Sequence, residues 1–155
     1  MDYTGDLRRR NFEGQDLRYA IFRNADLYAA CFDSAQLEGA VFAGCFAAEA
    51  SFDKASCRRM QAAVSNFYRG SFRSADLAGA LFWDCVLAGA DLRGATLKGI
   101  TVTLDCNTFE GVHLTRKESA QLAYLFGRAQ SPHRQDWMKV IGERDQKWLN
   151  RLFER

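Results

Sequence analysis

The sequence predicts an all-β solenoid followed by a short α-helical C-terminal tail, and three observations carry that prediction. Large apolar residues recur at every fifth position over most of the chain, small residues precede them by two, and the pattern stops where a helix-capping sequence begins. A spacing of five fits neither an amphipathic helix, which repeats every ~3.6 residues, nor an ordinary strand, which repeats about every 2. It fits a chain that turns a corner every five residues and points its large residue inward.

The register starts at Leu7 and runs through Phe12, Leu17, Phe22, Leu27, Phe32, Leu37 and Phe42. It weakens at Ala47, returns at Phe52, weakens again at Cys57 and Ala62, and resumes from Phe67 to Val102. Ala20, Ala25, Ala30, Ala35, Ala40, Ala50, Ala55, Ala75, Ala80, Ala90 and Ala95 occupy the small position. An acidic residue often lies between the two, as in Ala25-Asp26-Leu27, Ala75-Asp76-Leu77 and Ala90-Asp91-Leu92.

This small–(Asp/Asn)–Leu/Phe–x–x pattern resembles the pentapeptide-repeat proteins over about residues 5–112. The resemblance implies a right-handed square β-helix with four pentapeptides to a coil, and is nearly silent on function. If a coil holds 20 residues, positions 20 apart stack. One such column reads Phe12, Phe32, Phe52, Phe72, Leu92, Val112, and another Phe22, Phe42, Ala62, Phe82, Val102. Between them runs Leu17, Leu37, Cys57, Leu77, Leu97. Phe and Leu segregate by column, which a plain repeat of five does not require. Rings stacked at the ~4.8 Å strand spacing fill the interior, each buried Leu or Phe contributing about 1.5–3 kcal/mol.

Within residues 45–64 the core residues shrink to Ala47, Cys57 and Ala62, while Met60 takes a small-residue place. A repacked core with a bulge is expected there, Met60 filling the volume its neighbours leave.

Outward positions sort by face in the same register. Two adjacent faces carry charges of alternating sign, among them Glu13, Asp33, Asp53, Arg73 and Arg93 on one and Asp16, Arg18, Glu38, Arg58 and Lys98 on the next. The other two are apolar. One presents Ile21, Val41, Ala43, Ala63, Val64, Leu81 and Trp83, its neighbour Tyr28, Phe46, Ala48, Tyr68, Val86 and Ala88. A contiguous apolar patch of this kind is expected to be covered by the protein's own tail, a second copy or another partner. Ile21, Val41, Leu81, Trp83, Tyr28, Phe46, Tyr68 and Val86 are therefore the candidate interaction face.

The division expected is a β-helix over residues 1–114 and a helical tail over 115–155. Thr115-Arg116-Lys117-Glu118 reads as a capping box opening a helix over about 116–128, and Ser131-Pro132 opens a second over about 132–153. Leu122 and Phe126 are expected to cap the last core layer, closing an open end that would otherwise invite aggregation. Trp137, Ile141, Trp148 and Leu152 give the second helix an apolar stripe suited to packing on the solenoid or on a second chain. Those four, with Leu122 and Phe126, are the candidate cap and assembly residues; a membrane is the less favoured partner of this basic amphipathic segment.

Chemistry is sparse. The net charge is +2, which gives no push toward nucleic acid or membrane. The start of the chain has no apolar run that reads as a signal peptide, and the five cysteines are read as reduced thiols of a cytoplasmic protein. No Cys-x-x-Cys, phosphate loop or dinucleotide motif occurs, and no metal or cofactor is expected. Cys106 and His113 are the one nucleophile–base pairing on offer, without a third group. The expected function is a non-enzymatic protein-interaction or scaffold module, acting on a protein partner or on itself as a homodimer. The resemblance implies an alternative, a DNA-mimicking modulator of a type II topoisomerase. Residues 1–112 carry 12 basic and 14 acidic side chains, too few net negative charges to favour it.

Overall fold

The structure, a computed structural model, describes residues 1–102 and 111–128, with the side chains of the final helix described as far as Leu122. The chain winds into a parallel β-solenoid of about five turns. One side of each coil contributes a short strand: β1 (Asp2–Asp6), β2 (Ile21–Asp26), β3 (Val41–Ala43), β4 (Gln61–Ala63), β5 (Leu81–Trp83) and β6 (Thr101–Val102). These form one parallel sheet in chain order. The other three sides are ladders of single parallel bridges, Asn11–Cys31–Ser51–Ser71–Asp91, Asp16–Gln36–Ser56–Asp76–Thr96 and Asp26–Phe46–Asn66–Val86.

The corners explain the spacing of five. Every fifth residue from Arg9 to Gly99 has a left-handed backbone, with φ between 47° at Asn24 and 77° at Gly94. On three sides the corner is closed by an amide two residues after the inward Leu or Phe's own neighbour, as where Ala30 N donates to Leu27 O at 2.9 Å and Ala75 N to Phe72 O at 3.1 Å. The backbone that remains bonds to the next coil, as where Leu27 N donates to Phe46 O at 2.7 Å. The repeat thus satisfies the amides and carbonyls that a packed core must not leave unpaired.

The inward residues stack as the columns predict. Phe12, Phe32, Phe52 and Phe72 lie ring on ring at 4.7, 4.8 and 4.7 Å, and Phe22 and Phe42 at 4.7 Å. Rings of the two columns meet edge to face, as Phe12 and Phe22 do at 5.8 Å. Tyr3 stacks on Phe22 at 4.7 Å and continues that column to the N-terminal end. The small column admits Cys45, Met60 and Cys85 as well as alanine, all buried.

The weak stretch over 45–64 is a regular coil, not the bulge expected. β3, β4 and β5 pair with no register shift, and the irregularity falls instead in β1, between Tyr3 and Gly5. The missing volume is supplied by Phe67 together with Met60. Phe67 stands in a column otherwise built from Leu7, Leu27, Ala47 and Leu87, and its ring reaches into the gap that Ala62 leaves. It touches Phe42 at 6.1 Å and Phe82 at 5.8 Å. At Gly70, three residues on, a Cβ would lie 3.0 Å from the Phe67 carbonyl and 3.5 Å from the Phe72 ring.

The column ending in Val112 also needs correction. Asp91 bridges His113, a step of 22, and Gly111 sits over Gly89. Two residues have been gained between Val102 and Gly111. Leu92 N donates to His113 O as Phe72 N does to Asp91 O, so Leu114, not Val112, takes the place above Leu92. Both pack against the core.

Helix α1 (Arg116–Arg128) follows. Glu118 accepts from the Thr115 amide at 2.7 Å, the glutamate half of the capping box the sequence shows, and also from the Thr115 hydroxyl. Gln121 accepts the Leu97 amide at 3.2 Å, where one more coil would have placed a carbonyl, and Leu122 is fully buried in the core. α1 therefore closes the C-terminal end of the rod. The second predicted helix, over 132–153, lies outside the described residues.

The exchange of volume between positions 62 and 67 is testable by a double-mutant cycle in urea. Phe67→Ala is expected to cost about 3–5 kcal/mol, as truncated core aromatics do. Ala62→Phe alone overpacks and costs about 1–3 kcal/mol. Because the two rings compete for one space, the double variant should be more stable than the sum of the losses; additive losses would contradict the shared space.

A candidate interaction ridge

Each side of the coil offers two outward positions, one either side of the inward residue, and these stack into files 20 residues apart. The sheet side and the side after it carry the apolar files, and they meet at the corner Asn24–Gly44–Val64–Asp84. Val64 is 59% exposed, Trp83 57%, Phe46 46%, Val86 41% and Tyr68 40%. Ile21, Tyr28, Val41 and Leu81 are half-buried. Tyr28 stacks on Phe46 at 6.3 Å and its hydroxyl donates to Glu49 at 2.9 Å, so part of the file is braced. The eight candidate face residues therefore share two adjacent sides, forming a convex apolar ridge with Val64 at its apex.

Val64 has a second distinction. Its φ is 49°, in the left-handed region, where a β-branched side chain is a true outlier. Most other corners are filled by Gly, Asn, Asp, Ser, Ala or unbranched polar residues. Val64 therefore carries strain of about 1–2 kcal/mol while its side chain buries little. Neither local geometry nor core packing accounts for valine here. Tyr19, another bulky exposed residue at a left-handed corner, differs: its ring covers Gly39, whose Cβ would fall 2.6 Å from it.

At the C-terminal end of the ridge lies a groove of about 580 Å³ lined by Tyr68, Arg69, Ala88, Gly89, Gly111 and His113. The Arg69 guanidinium rests on the Tyr68 ring at 5.1 Å. His113 is placed here by its bridge to Asp91, while Cys106 lies outside the described residues, so the expected nucleophile–base pairing has no described geometry.

The remaining two sides are polar, and part of their charge is paired. Arg18 meets Asp16 at 2.6 Å, Arg93 meets Asp91 at 2.6 Å, and Arg58 meets Asp76 at 3.5 Å. Near the N-terminal end Arg8 meets Asp6 at 2.7 Å. Hydrogen bonds from Arg8 and Arg18 hold the carboxyls of Asp6 and Asp16 down at about 2. Asp33 accepts from Ser51, and Asp53 from Ser71 at 2.5 Å, tying successive coils together.

The described cysteines, Cys31, Cys45, Cys57 and Cys85, are free. Burial pushes their thiols up, Cys85 to about 11 and Cys57 further, because a thiolate at Cys45, Cys57 or Cys85 would have to sit in the apolar core; Cys31 is only half-buried, on an outward file. Cys45 and Cys85 donate to the carbonyls of Phe22 and Trp83, each at 3.3 Å. Among the described residues no group of three His, Cys, Asp or Glu side chains converges in a way that would hold a metal ion. No described helix is long and apolar enough to cross a membrane. Of the cap and assembly residues, Leu122 reaches from α1 into the core; the Phe126 side chain and Trp137, Ile141, Trp148 and Leu152 lie outside the described residues.

Comparison with known proteins agrees with this architecture. The pentapeptide-repeats family matches residues 6–33, 30–62 and 65–103, in eight copies. The chain belongs to the pentapeptide-repeat family. Among solved structures it is similar to QnrB1, a plasmid-mediated fluoroquinolone resistance protein, at 14% identity and a TM-score of 0.53, covering 82% of this chain and 100% of that one. It is also similar to Rfr23 of the cyanobacterium Cyanothece, at 21% identity and a TM-score of 0.49, covering 74% and 82%. A thylakoid-lumen pentapeptide repeat protein of Arabidopsis thaliana matches at 24% identity and a TM-score of 0.39, covering 70% and 79%. No curated protein matches. At these identities the likeness concerns the fold.

Two outcomes are expected. Val64→Asn, which tolerates the left-handed corner, should raise the urea midpoint by the equivalent of about 1 kcal/mol; a fall would show that Val64 stabilises the free protein. An NMR titration should place Asp6 and Asp16 at about 2. Arg18→Gln should return Asp16 toward the ordinary carboxylate value. A depressed carboxyl stabilises above its unfolded value and loses that contribution as pH falls through the folded one, so these pairs persist until strongly acidic pH.

Proposed function

We propose that this pentapeptide-repeat chain is a non-enzymatic protein-interaction module that presents its apolar ridge to a protein partner. The observation that carries the reading is the strained, exposed Val64 at the centre of a patch containing Trp83, Phe46, Tyr68 and Val86. Strain at a position with no packing role points to selection for the surface itself. Aromatic residues at the centre of an apolar patch are the residue types that anchor protein interfaces. The protonated, enclosed thiols and the neutralised carboxylates support the absence of a catalytic role, and the free cysteines fit a cytoplasmic setting.

The topoisomerase reading gains little. A DNA mimic needs uncompensated negative charge facing a phosphate-binding site, whereas Asp16, Asp76 and Asp91 each face an arginine.

The test compares proteins retained by the immobilised full chain with those retained by Trp83→Asp/Tyr68→Asp and by the charged-face variant Arg18→Glu. A protein lost from the first variant and kept by the second is expected. Equal retention by all three would remove the ridge from the binding reaction. A gyrase supercoiling assay with a poison should show neither inhibition nor protection.

A further inference from the structure

We propose that the polar side carrying Cys31, Ser51, Ser71 and Asp91 is a self-association surface, on which a second copy of this chain packs with its rod antiparallel. One file of this side holds Glu13, Asp33 and Asp53 in the first three coils, then Arg73 and Arg93 in the next two. On the neighbouring side Arg18, Glu38 and Arg58 alternate in sign, but here the charges separate along the rod. Leu114 lies above Leu92, so Thr115 extends the file, and the exposed Arg116 and Lys117 follow it at the start of α1. Little within the chain cancels this separation. Among the described residues Glu13, Asp33 and Asp53 make no ion pair. The two aspartates accept instead from the Ser51 and Ser71 hydroxyls and the Asp53 and Arg73 amides. Lys54, at the adjoining corner, offsets one of the three acids. At the other end Arg73 and Arg93 share Asp91, at 3.8 and 2.6 Å, so two guanidiniums face one carboxylate.

A two-fold axis across this side, between the coils of Asp53 and Arg73, turns the separation into complementarity. Asp53 of one protomer then faces Arg73 of its partner, Asp33 faces Arg93, and Glu13 faces Arg116 and Lys117, each contact being made twice. Parallel rods would set the acidic ends side by side and repel. The inner file lets the two surfaces approach, because Cys31, Ser51 and Ser71 are small and half-buried. The side is about 10 Å wide and about 24 Å long over five coils. That footprint is below the about 800 Å² per partner of a stable pair. The association is therefore weak, held by charge, and reversed by salt. The Val64 corner does not border this side, so the apolar ridge stays free on both copies.

Analytical ultracentrifugation of the full chain tests this. A dimer is expected at about 100 µM protein in about 20 mM salt, with a dissociation constant that rises at least about tenfold by about 300 mM. Arg73→Glu should abolish the dimer, since position 73 then meets Asp53 as a like charge. Asp53→Lys should abolish it for the converse reason. An equal mixture of the two variants should restore it, because every facing pair is again of opposite sign. Asp53 also accepts bonds within the chain, so thermal unfolding checks that its variant folds. Glu13→Lys and Lys117→Glu repeat the swap at side chains that make no hydrogen bond among the described residues; each alone should weaken the dimer and their mixture recover it. A monomer at low salt, a dimer indifferent to salt, or no recovery in either mixture would overturn the proposal. So would a dimer that survives Arg73→Glu and is lost on Trp83→Asp/Tyr68→Asp, which would place self-association on the ridge.

Discussion

The structure depends on a fixed step between coils. Backbone hydrogen bonds hold successive coils at the strand spacing, and that spacing coincides with the thickness of stacked rings, 4.7–4.8 Å in the Phe12–Phe72 column. Ladder and core therefore reinforce each other. The interior cannot loosen without breaking ladder bonds, and the ladder cannot slip without moving every inward side chain to the outside. Left-handed corners at every fifth residue make this closure achievable, and they hold Arg9, Lys54 and Arg69 as well as glycine, the ladder bonds outweighing the cost of a Cβ in that conformation.

With the interior fixed, the outward positions are free to vary, and variation there separates surface chemistry from fold. Two sides hold charges paired within or between neighbouring coils. The other two hold the aromatic and aliphatic residues of the ridge. Val64 shows the separation most clearly. It belongs to the corner file, where its backbone conformation is set by the fold and disfavours its side chain, yet it lies between the two sides that carry Trp83, Phe46 and Val86.

Much of this was legible in the sequence because the repeat is a translation. Positions 20 apart give the columns, the faces and the grouping of Trp83 with Phe46 and Tyr68. The capping box at Thr115 and Glu118 was legible for a similar reason, being a local motif with local hydrogen bonds. Two features were not. Phe67 looks like another inward repeat residue, and only coordinates show its ring crossing into the space beside Ala62, since a column assignment carries no information about which way a side chain leans. The two extra residues before Gly111 were hidden because Val112 is apolar and falls in the expected register, so the sequence continued to look periodic after the coil length had changed.

The two ends of the rod differ, and this bears on how copies meet. A parallel solenoid has a top and a bottom that are complementary, so bare ends would join head to tail, a heterologous contact that does not close and grows into a fibre. Here the N-terminal end carries Tyr3 on a strand whose register is broken, and the C-terminal end carries a lengthened last coil with Gln121 on the Leu97 amide. Neither end repeats the geometry of an interior coil. An interior coil of another copy would therefore meet no matching register at either of these described ends.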